Sequence, residues 1–448
     1  MTSYASAIES LYSLGHELKP GTSRKFELAH MRAFCQALGN PQKSFPSVLI
    51  AGTNGKGSTA ATIASILQAS GHRVGLYTSP HIVRINERIC INGRTISDAV
   101  FADGFDRVTA CAAKMVEASE LPHLPSFFET VTAIAFDFFA ASQVEIAILE
   151  VGLGGRLDAT NVVDPILSVI TDIDLDHQYF LGDTIAEIAW EKAGILRPQV
   201  AAITLPQHPE VNRVLSERIA DLGAHAVSAA HNLALPSPQA PAPVHNSAAE
   251  TRFQLKIFGQ EVEIVSPLVG GHQFRNLALA ITAAEELAAL GFRVTAKSIA
   301  RGTRTTYWPG RFQEFAATFQ HPTIILDAAH NPAAARALRS TLDERFGERP
   351  LVLLFGVMAD KAVDEIAKIL WPRMTHVVLT CPANNPRAAS TADLAALAQS
   401  LGVSHSTSAT VHEGFSLATA RARSLGPDAA VVIAGSIYLA GEVEEFLR

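Results

Sequence analysis

Four cysteines in 448 residues, Cys35, Cys90, Cys111 and Cys381, lie far apart and form no CxxC pair. That scarcity excludes a disulfide framework and a cysteine zinc site, and it fits a reducing compartment. Surplus positive charge is missing too: 36 basic against 43 acidic side chains leave a net charge of −7. Non-specific nucleic-acid affinity comes from excess Lys and Arg, so no nucleic-acid partner is expected. No uninterrupted apolar run approaches the roughly 18 residues that a membrane span needs. Ahead of Lys19 there is no Lys or Arg and no apolar core of signal-peptide type. Instead Tyr4, Ile8, Leu11 and Tyr12 recur at helical spacing, with Pro20-Gly21 as a stop. The expectation is a cytoplasmic protein with no membrane partner.

A hydrophobic share of 48% gives the chain ample material for buried cores. Its length corresponds to two or three domains. Ser47–Ala51, Val74–Tyr77, Val144–Val151 and Ile166–Thr171 are short apolar runs bounded by turn residues, as buried parallel strands are. Helical patterns lie between them, so the first part reads as a doubly wound α/β domain with a mainly parallel sheet. Four prolines crowd Leu235–Val244, which reads as an exposed loop, and the alternation from Phe253 to Ile264 reads as a hairpin. A break over Arg301–Gly310 precedes further strand-like runs at Thr323–Leu326, Leu351–Phe355, His376–Thr380 and Ala430–Ala434. The expected division is therefore a doubly wound α/β domain over residues 1–303 and a smaller Rossmann-like α/β domain over 310–448.

Gly52-Thr53-Asn54-Gly55-Lys56-Gly57-Ser58 sits between the first strand and a helix expected from Ser58 to about Ser70. Glycines let backbone N–H groups converge on an anion, and the helix start adds partial positive charge. Lys56 would reach the β- and γ-phosphates and Ser58 could ligate Mg²⁺. The match to G-x-x-x-x-G-K-[ST] is incomplete: Ile50 stands where the first Gly belongs, and Gly57 follows the lysine. The plain alternative is a glycine-rich turn with an exposed lysine.

Other residues carry chemistry by position. Glu150 closes a strand, so its carboxylate faces the crevice at the strand ends unless it merely caps the next turn. His177 follows another strand, in a loop with Asp172, Asp174 and Asp176. An EF-hand fails there, because His177 occupies the glycine position and Asp183 stands where the bidentate Glu belongs. Ile185, Ile188, Ala189 and Lys192 share one helical face ended by Gly194. A lysine on that stripe either snorkels to solvent or loses its charge and becomes a reactive neutral amine. Phe127, Phe128 and Phe139 suit a core as well as a pocket wall.

Taken with its surroundings, the G-T-N-G-K-G-S loop resembles that of the Mur ligase superfamily. Within it the chain is most similar to the folylpolyglutamate synthase/dihydrofolate synthase family. Carrying the likeness are Tyr77-Thr78-Ser79-Pro80-His81, Asn86-Glu87-Arg88-Ile89, Phe128-Glu129-Thr130, Leu149 to Asn161, Glu191-Lys192-Ala193-Gly194-Ile195, Pro309-Gly310-Arg311-Phe312 and Asp327 to Pro332, in collinear order. The resemblance implies an ATP-dependent ligase that joins L-glutamate to folate or dihydropteroate through an acyl phosphate. It implies Ser79, Glu150 and His177 as magnesium ligands, with two ions and a carbamylated Lys192 supporting the second. By the same likeness Asn276, with His272 and Gln273, contacts adenine, and Arg311 bridges to the phosphates. Asp327 and His330 face the nucleotide and the incoming amino acid. Phe128 and Glu129 line the pterin pocket, with Arg156 and Asp158 also on the substrate, and a monomer is implied. Two rivals stand beside this reading. One is another Mur-type ligase acting on a nucleotide-linked precursor, for which a phosphate loop already at residue 52 leaves little room. The other is a P-loop ATPase switch without synthetic chemistry.

Overall fold

The computed structural model describes residues 2–15, 28–233, 250–383 and 385–447. Eight strands form the first sheet: β1 (Ser47–Ala51), β2 (Val74–Tyr77), β3 (Ile89–Ile91), β4 (Arg94–Thr95), β5 (Ile146–Glu150), β6 (Leu167–Ile170), β7 (Ala201–Thr204) and β8 (His225–Ser228). Their order is β4-β3-β2-β5-β1-β6-β7-β8, parallel except for the β2-β3-β4 edge. Every residue of β1 and β5 is buried, as expected for central strands covered by helices on both faces. β1 lies between β5 and β6, with Ile50 opposite Glu150 and Ala51 opposite Ile170. The loops after these three strands therefore leave the sheet side by side, and ligands of open α/β sheets bind at that end.

The proline-rich stretch 235–244 and the expected stop at Pro20-Gly21 lie outside the described residues. The hairpin expectation holds: β9 (Thr251–Ile257) and β10 (Gln260–Ser266) pair antiparallel. The break over Arg301–Gly310 is shorter than expected, because a helix runs from Ala296 to Thr305. Gly302 is the physical reason. A Cβ there would stand 2.4 Å from Ile66 Cα, so only glycine lets this helix lie directly on the phosphate-loop helix.

Beyond the linker a second sheet contains β11 (Gln313–Phe315), β12 (Thr323–Leu326), β13 (Leu351–Phe355), β14 (His376–Leu379), β15 (His405–Thr407) and β16 (Ala430–Ala434). Its order is β11-β12-β16-β13-β14-β15, with only β11 antiparallel. Separate apolar clusters fill the two domains; one surrounds Phe136 and Phe139 and another Phe355 and Trp371. Among the described residues no helix is long and apolar enough to cross a membrane.

Candidate active site

The phosphate-loop helix begins at Lys56, two residues earlier than expected, and ends at Ala69. Gly55 precedes it at φ 88°, where a Cβ would stand 2.1 Å from Asn276 Oδ1. That close approach places Asn276 against the loop. Gly52 is equally constrained, since a Cβ would stand 1.8 Å from Thr171 Oγ1. The Thr53 and Asn54 N–H groups both donate to the Asp172 carbonyl, at 2.8 and 3.1 Å. Thr53 Oγ1 donates to the Asp174 carbonyl at 2.9 Å. Arg275 fixes that neighbouring strand end by gripping the Asp172 carboxylate through two nitrogens. Lys56 Nζ folds back onto the Gly52 and Thr53 carbonyls, at 3.1 and 3.2 Å.

Gly57, the residue that breaks the usual motif, has its own explanation. A Cβ there would meet Trp308 Cζ2 at 2.5 Å. The indole of the interdomain linker occupies the space that a Ser or Thr side chain would need. Trp308 precedes Arg311 by three residues, so this seat registers the linker arginine against the phosphate loop. Arg311 Nη1 donates to the Gly310 carbonyl, and both cavities described below include the residue. The helix that carries Asn276 also holds unused hydrogen-bonding capacity. His272 Nδ1 and Gln273 Nε2 are buried without partners among the described residues, and Asn276 Nδ2 donates to Gln273 Oε1 at 2.8 Å. A bound purine would satisfy such atoms.

Lys192 comes from the helix Ile185–Ala193, whose Thr184–Glu187 capping box fixes its start. Its tip does not reach solvent: Nζ is buried and donates to the Gly52 carbonyl at 2.8 Å. Burial, with Lys56 nearby, pulls its pKa down to about 7. Glu150 is 4% exposed, and Ser79 N–H donates to its Oε2 at 3.1 Å. Burial raises the pKa of this carboxylate, although Lys56 and Arg311 oppose the shift. A desolvated carboxylate of this kind fits a hard cation, which would restore the missing charge compensation. His177 stands at φ 51°, and burial lowers its pKa to about 3, leaving a neutral imidazole able to ligate. Ser79 borders the cavities of both Glu150 and His177. Among the described residues no three His, Cys, Asp or Glu side chains converge on one metal-sized centre. The expected set contains only two residues of those types.

Two cavities meet at Ser79 and Arg311. One of about 390 Å³ runs past Glu150 and Trp308. The other, of about 670 Å³, lies between the domains and is bordered by Phe128, Arg156, His177, Arg311, His330 and Lys361. Both have the size of small-molecule sites. Phe128 is half-buried in the wall and the buried Phe127 borders the same cavity, whereas Phe139 belongs to the core. Several expected substrate residues have committed polar atoms. Glu129 completes the capping box of the helix Phe127–Ala141 and pairs with His30 at 3.1 Å. Arg156 binds Glu191 at 2.8 Å and lies over the Trp190 ring. Asp158 accepts from Gly152 N, Leu153 N, Thr160 N and Thr160 Oγ1, bracing the glycine-rich turn after β5.

From the second domain, Asp327 follows β12 and accepts from Phe312 N and Ala329 N, each at 2.8 Å. Burial raises its pKa. His330 borders the cavity, its pKa lowered to about 4 by burial and Lys361. Asn331, rather than His330, caps the following helix. The expectations above missed three of the residues that join the halves. Lys361 Nζ reaches Asp176 Oδ1 at 2.7 Å, and Asn331 Nδ2 reaches Asn54 Oδ1 at 3.0 Å. These pairs span 185 and 277 residues, so no local pattern announces them.

Comparison with known proteins agrees with this geometry. Residues 107–284 match the Mur ligase middle domain, and residues 310–437 match the Mur ligase glutamate ligase domain. The folylpolyglutamate synthase of Lacticaseibacillus casei is 34% identical over 450 aligned positions, covering 99% of this chain and 98% of the relative. The ADP complex of Mycobacterium tuberculosis folylpolyglutamate synthase superposes with a TM-score of 0.85 at 32% identity, covering 99% of this chain and 98% of that one. Escherichia coli FolC in complex with DHPP and ADP gives 0.82 at 28% identity, covering 100% and 98%.

Proposed function

The chain belongs to the folylpolyglutamate synthase/dihydrofolate synthase family of Mur-type ligases, and from that premise we propose how its residues divide the work of an ATP-dependent ligase joining L-glutamate to a folate-type acid. The observation that carries the reading is the seating of the Gly52–Ser58 loop against the second domain, where the Asn331 amide donates to Asn54 Oδ1 at 3.0 Å, beside an interdomain cavity bordered by Arg311 and His330. A phosphate-loop switch needs no such second wall.

ATP binds with its phosphates on the backbone N–H groups of residues 55–58, which Thr53 and Asn54 position through the Asp172 carbonyl, and its base beside Asn276, His272 and Gln273. Ser79, Glu150 and His177 would hold Mg²⁺, and a carbamate formed from the Lys192 amine and CO₂ would support a second ion. Bound there, the cation neutralises phosphate charge and polarises the transferring group. The substrate carboxylate oxygen attacks the γ-phosphorus and ADP departs, leaving an acyl phosphate. Lys56 and Arg311 stabilise the charge that spreads over the phosphoryl oxygens. The glutamate amine then attacks the acyl carbon. A C–N bond forms, the C–O bond to phosphate breaks, and the ammonium proton passes to a nearby base. Closure of the second domain excludes water, which would otherwise hydrolyse the acyl phosphate. Phe128 offers a flat wall to a pterin ring. Asp158 and Glu129 shape the pocket by holding its turns, and the chain acts as a monomer in the cytoplasm.

The test offers dihydropteroate and tetrahydrofolate separately, with MgATP and labelled glutamate. ADP release that requires both the pterin substrate and glutamate supports the ligase. Turnover indifferent to both refutes it.

A further inference from the structure

Asp176 is the buried acidic side chain of the His177 loop that faces the second domain; its neighbour Asp174, 38% exposed, reaches that domain only through Arg336 at 3.8 Å. The Asp176 side chain is 10% exposed and that of Lys361 is 9% exposed, and the two pair at 2.7 Å. The same Oδ1 accepts from His177 N–H at 2.9 Å. Oδ2 accepts from Asn331 Nδ2 at 3.2 Å, and that amide also reaches Asn54 Oδ1 at 3.0 Å. Asn331 is in turn immobilised by its role as helix cap, its Oδ1 accepting from Ala334 N at 2.8 Å. His330 Nε2 and His177 Nε2 each stand 3.9 Å from Asp176 Oδ2.

We propose that Asp176 is a positioning residue: clasped by Lys361 and Asn331, it sets the His177 loop and the phosphate loop into working geometry only when the two domains are together. The inference rests on the ligase reading above. His177 has a left-handed backbone, φ 51°, which a residue other than glycine keeps only where its surroundings hold it. The Asp176 carboxylate supplies one such restraint. Its negative charge, taken out of water, needs the Lys361 ammonium, because removing one partner of a buried ion pair leaves an uncompensated charge. An open molecule therefore lacks both the lysine and the amide. The clasp makes the phosphate-transfer geometry conditional on closure, so that ATP is spent only inside a sealed site.

The test compares Lys361→Met, Lys361→Arg and Asp176→Asn with the unaltered protein. Measured are affinity for a non-hydrolysable ATP analogue, the ratio of ADP to glutamyl-folate product, and compaction by small-angle scattering on adding nucleotide. Expected are analogue affinities within about threefold of the parent, turnover lowered by about tenfold or more, since ångström-scale misplacement costs up to about a hundredfold, and extra ADP per product. Lys361→Arg regains coupling because it keeps the cation. Wild-type coupling and compaction in both Lys361→Met and Asp176→Asn overturn the proposal. So does a loss confined to Asp176→Asn, which makes Asp176 a purely local brace. If the parent makes no glutamyl product from any folate, the ligase reading fails instead. The clasp is then decided by whether Lys361→Met abolishes nucleotide-induced compaction.

Discussion

Gly57→Ala should damage the enzyme although alanine is the better helix former. Inside a helix this exchange ordinarily gains about 0.5–1 kcal/mol. Here the new methyl would lie 2.5 Å from Trp308 Cζ2, 2.8 Å from Cε2 and 2.9 Å from Nε1. Carbon contacts settle near ~3.5–4.0 Å, so the ring must retreat by about 1 Å or the helix start must tilt. Overpacking of this kind costs about 1–3 kcal/mol. The indole is a stiff plane against the first turn, so the strain tilts the N–H groups that face the phosphates and also shifts Arg311, three residues on. Nucleotide affinity should fall by about tenfold, the equivalent of about 1.4 kcal/mol. Calorimetric titration with a non-hydrolysable MgATP analogue measures this for Gly57→Ala, Trp308→Ala and the double variant. Removing the indole takes away the obstacle, so the double variant should bind better than Gly57→Ala alone, a coupling that distant sites do not show. A double variant no better than Gly57→Ala would refute the overlap as the cause.

Lys192 gives a pH prediction with a definite sign. Its folded pKa, about 7, lies below the ordinary lysine value of 10.5. The unfolded chain therefore binds more protons between those values, and stability rises with pH across that window. In metal-free, CO₂-free buffer Lys192→Met should melt above the parent at pH 6 and lose that advantage by pH 10; equal offsets at both pH values would show that the amine is not held neutral. Asp158→Ala removes the acceptor of four hydrogen bonds, two of them to the Gly152 and Leu153 N–H groups. It should cost about 1–3 kcal/mol by denaturant titration, with folate affinity falling alongside. Lys56→Ala should cut ADP formation by about a hundredfold or more; retained turnover would remove Lys56 from the phosphate site.

The fold was legible because its strands advertise themselves. β1, β2, β12, β13 and β16 have the bounds that apolar runs between turn residues suggest, since parallel strands covered on both faces must be apolar throughout. Gly302 deceived for a local reason: glycine ordinarily weakens a helix, and only the approach of Ile66 reveals why this helix keeps it. The phosphate loop was legible for the same reason as the strands, being one continuous stretch. Lys192 was half legible. Its helical phase put it on the buried stripe, but the choice between a solvated and a buried tip depended on the Gly52 carbonyl, 140 residues away.

What the sequence hid follows from how the labour is divided between the domains. The groups proposed to recognise the nucleotide, from Gly55 to Ser58 and on to Asn276, all belong to the first domain and can act in an open molecule. Arg311, His330, Asn331 and Lys361 reach the same space only from the second. Affinity for ATP and rate of transfer are therefore set by different surfaces. Substitutions in the first group should raise the nucleotide dissociation constant, whereas those in the second should lower kcat while leaving that constant near its parent value. Gly57 and Trp308 are the exception that tests the rule, because their contact joins the two surfaces. A change there should move both quantities together. This physical role accounts for the one glycine that makes the loop depart from the ordinary phosphate-binding pattern.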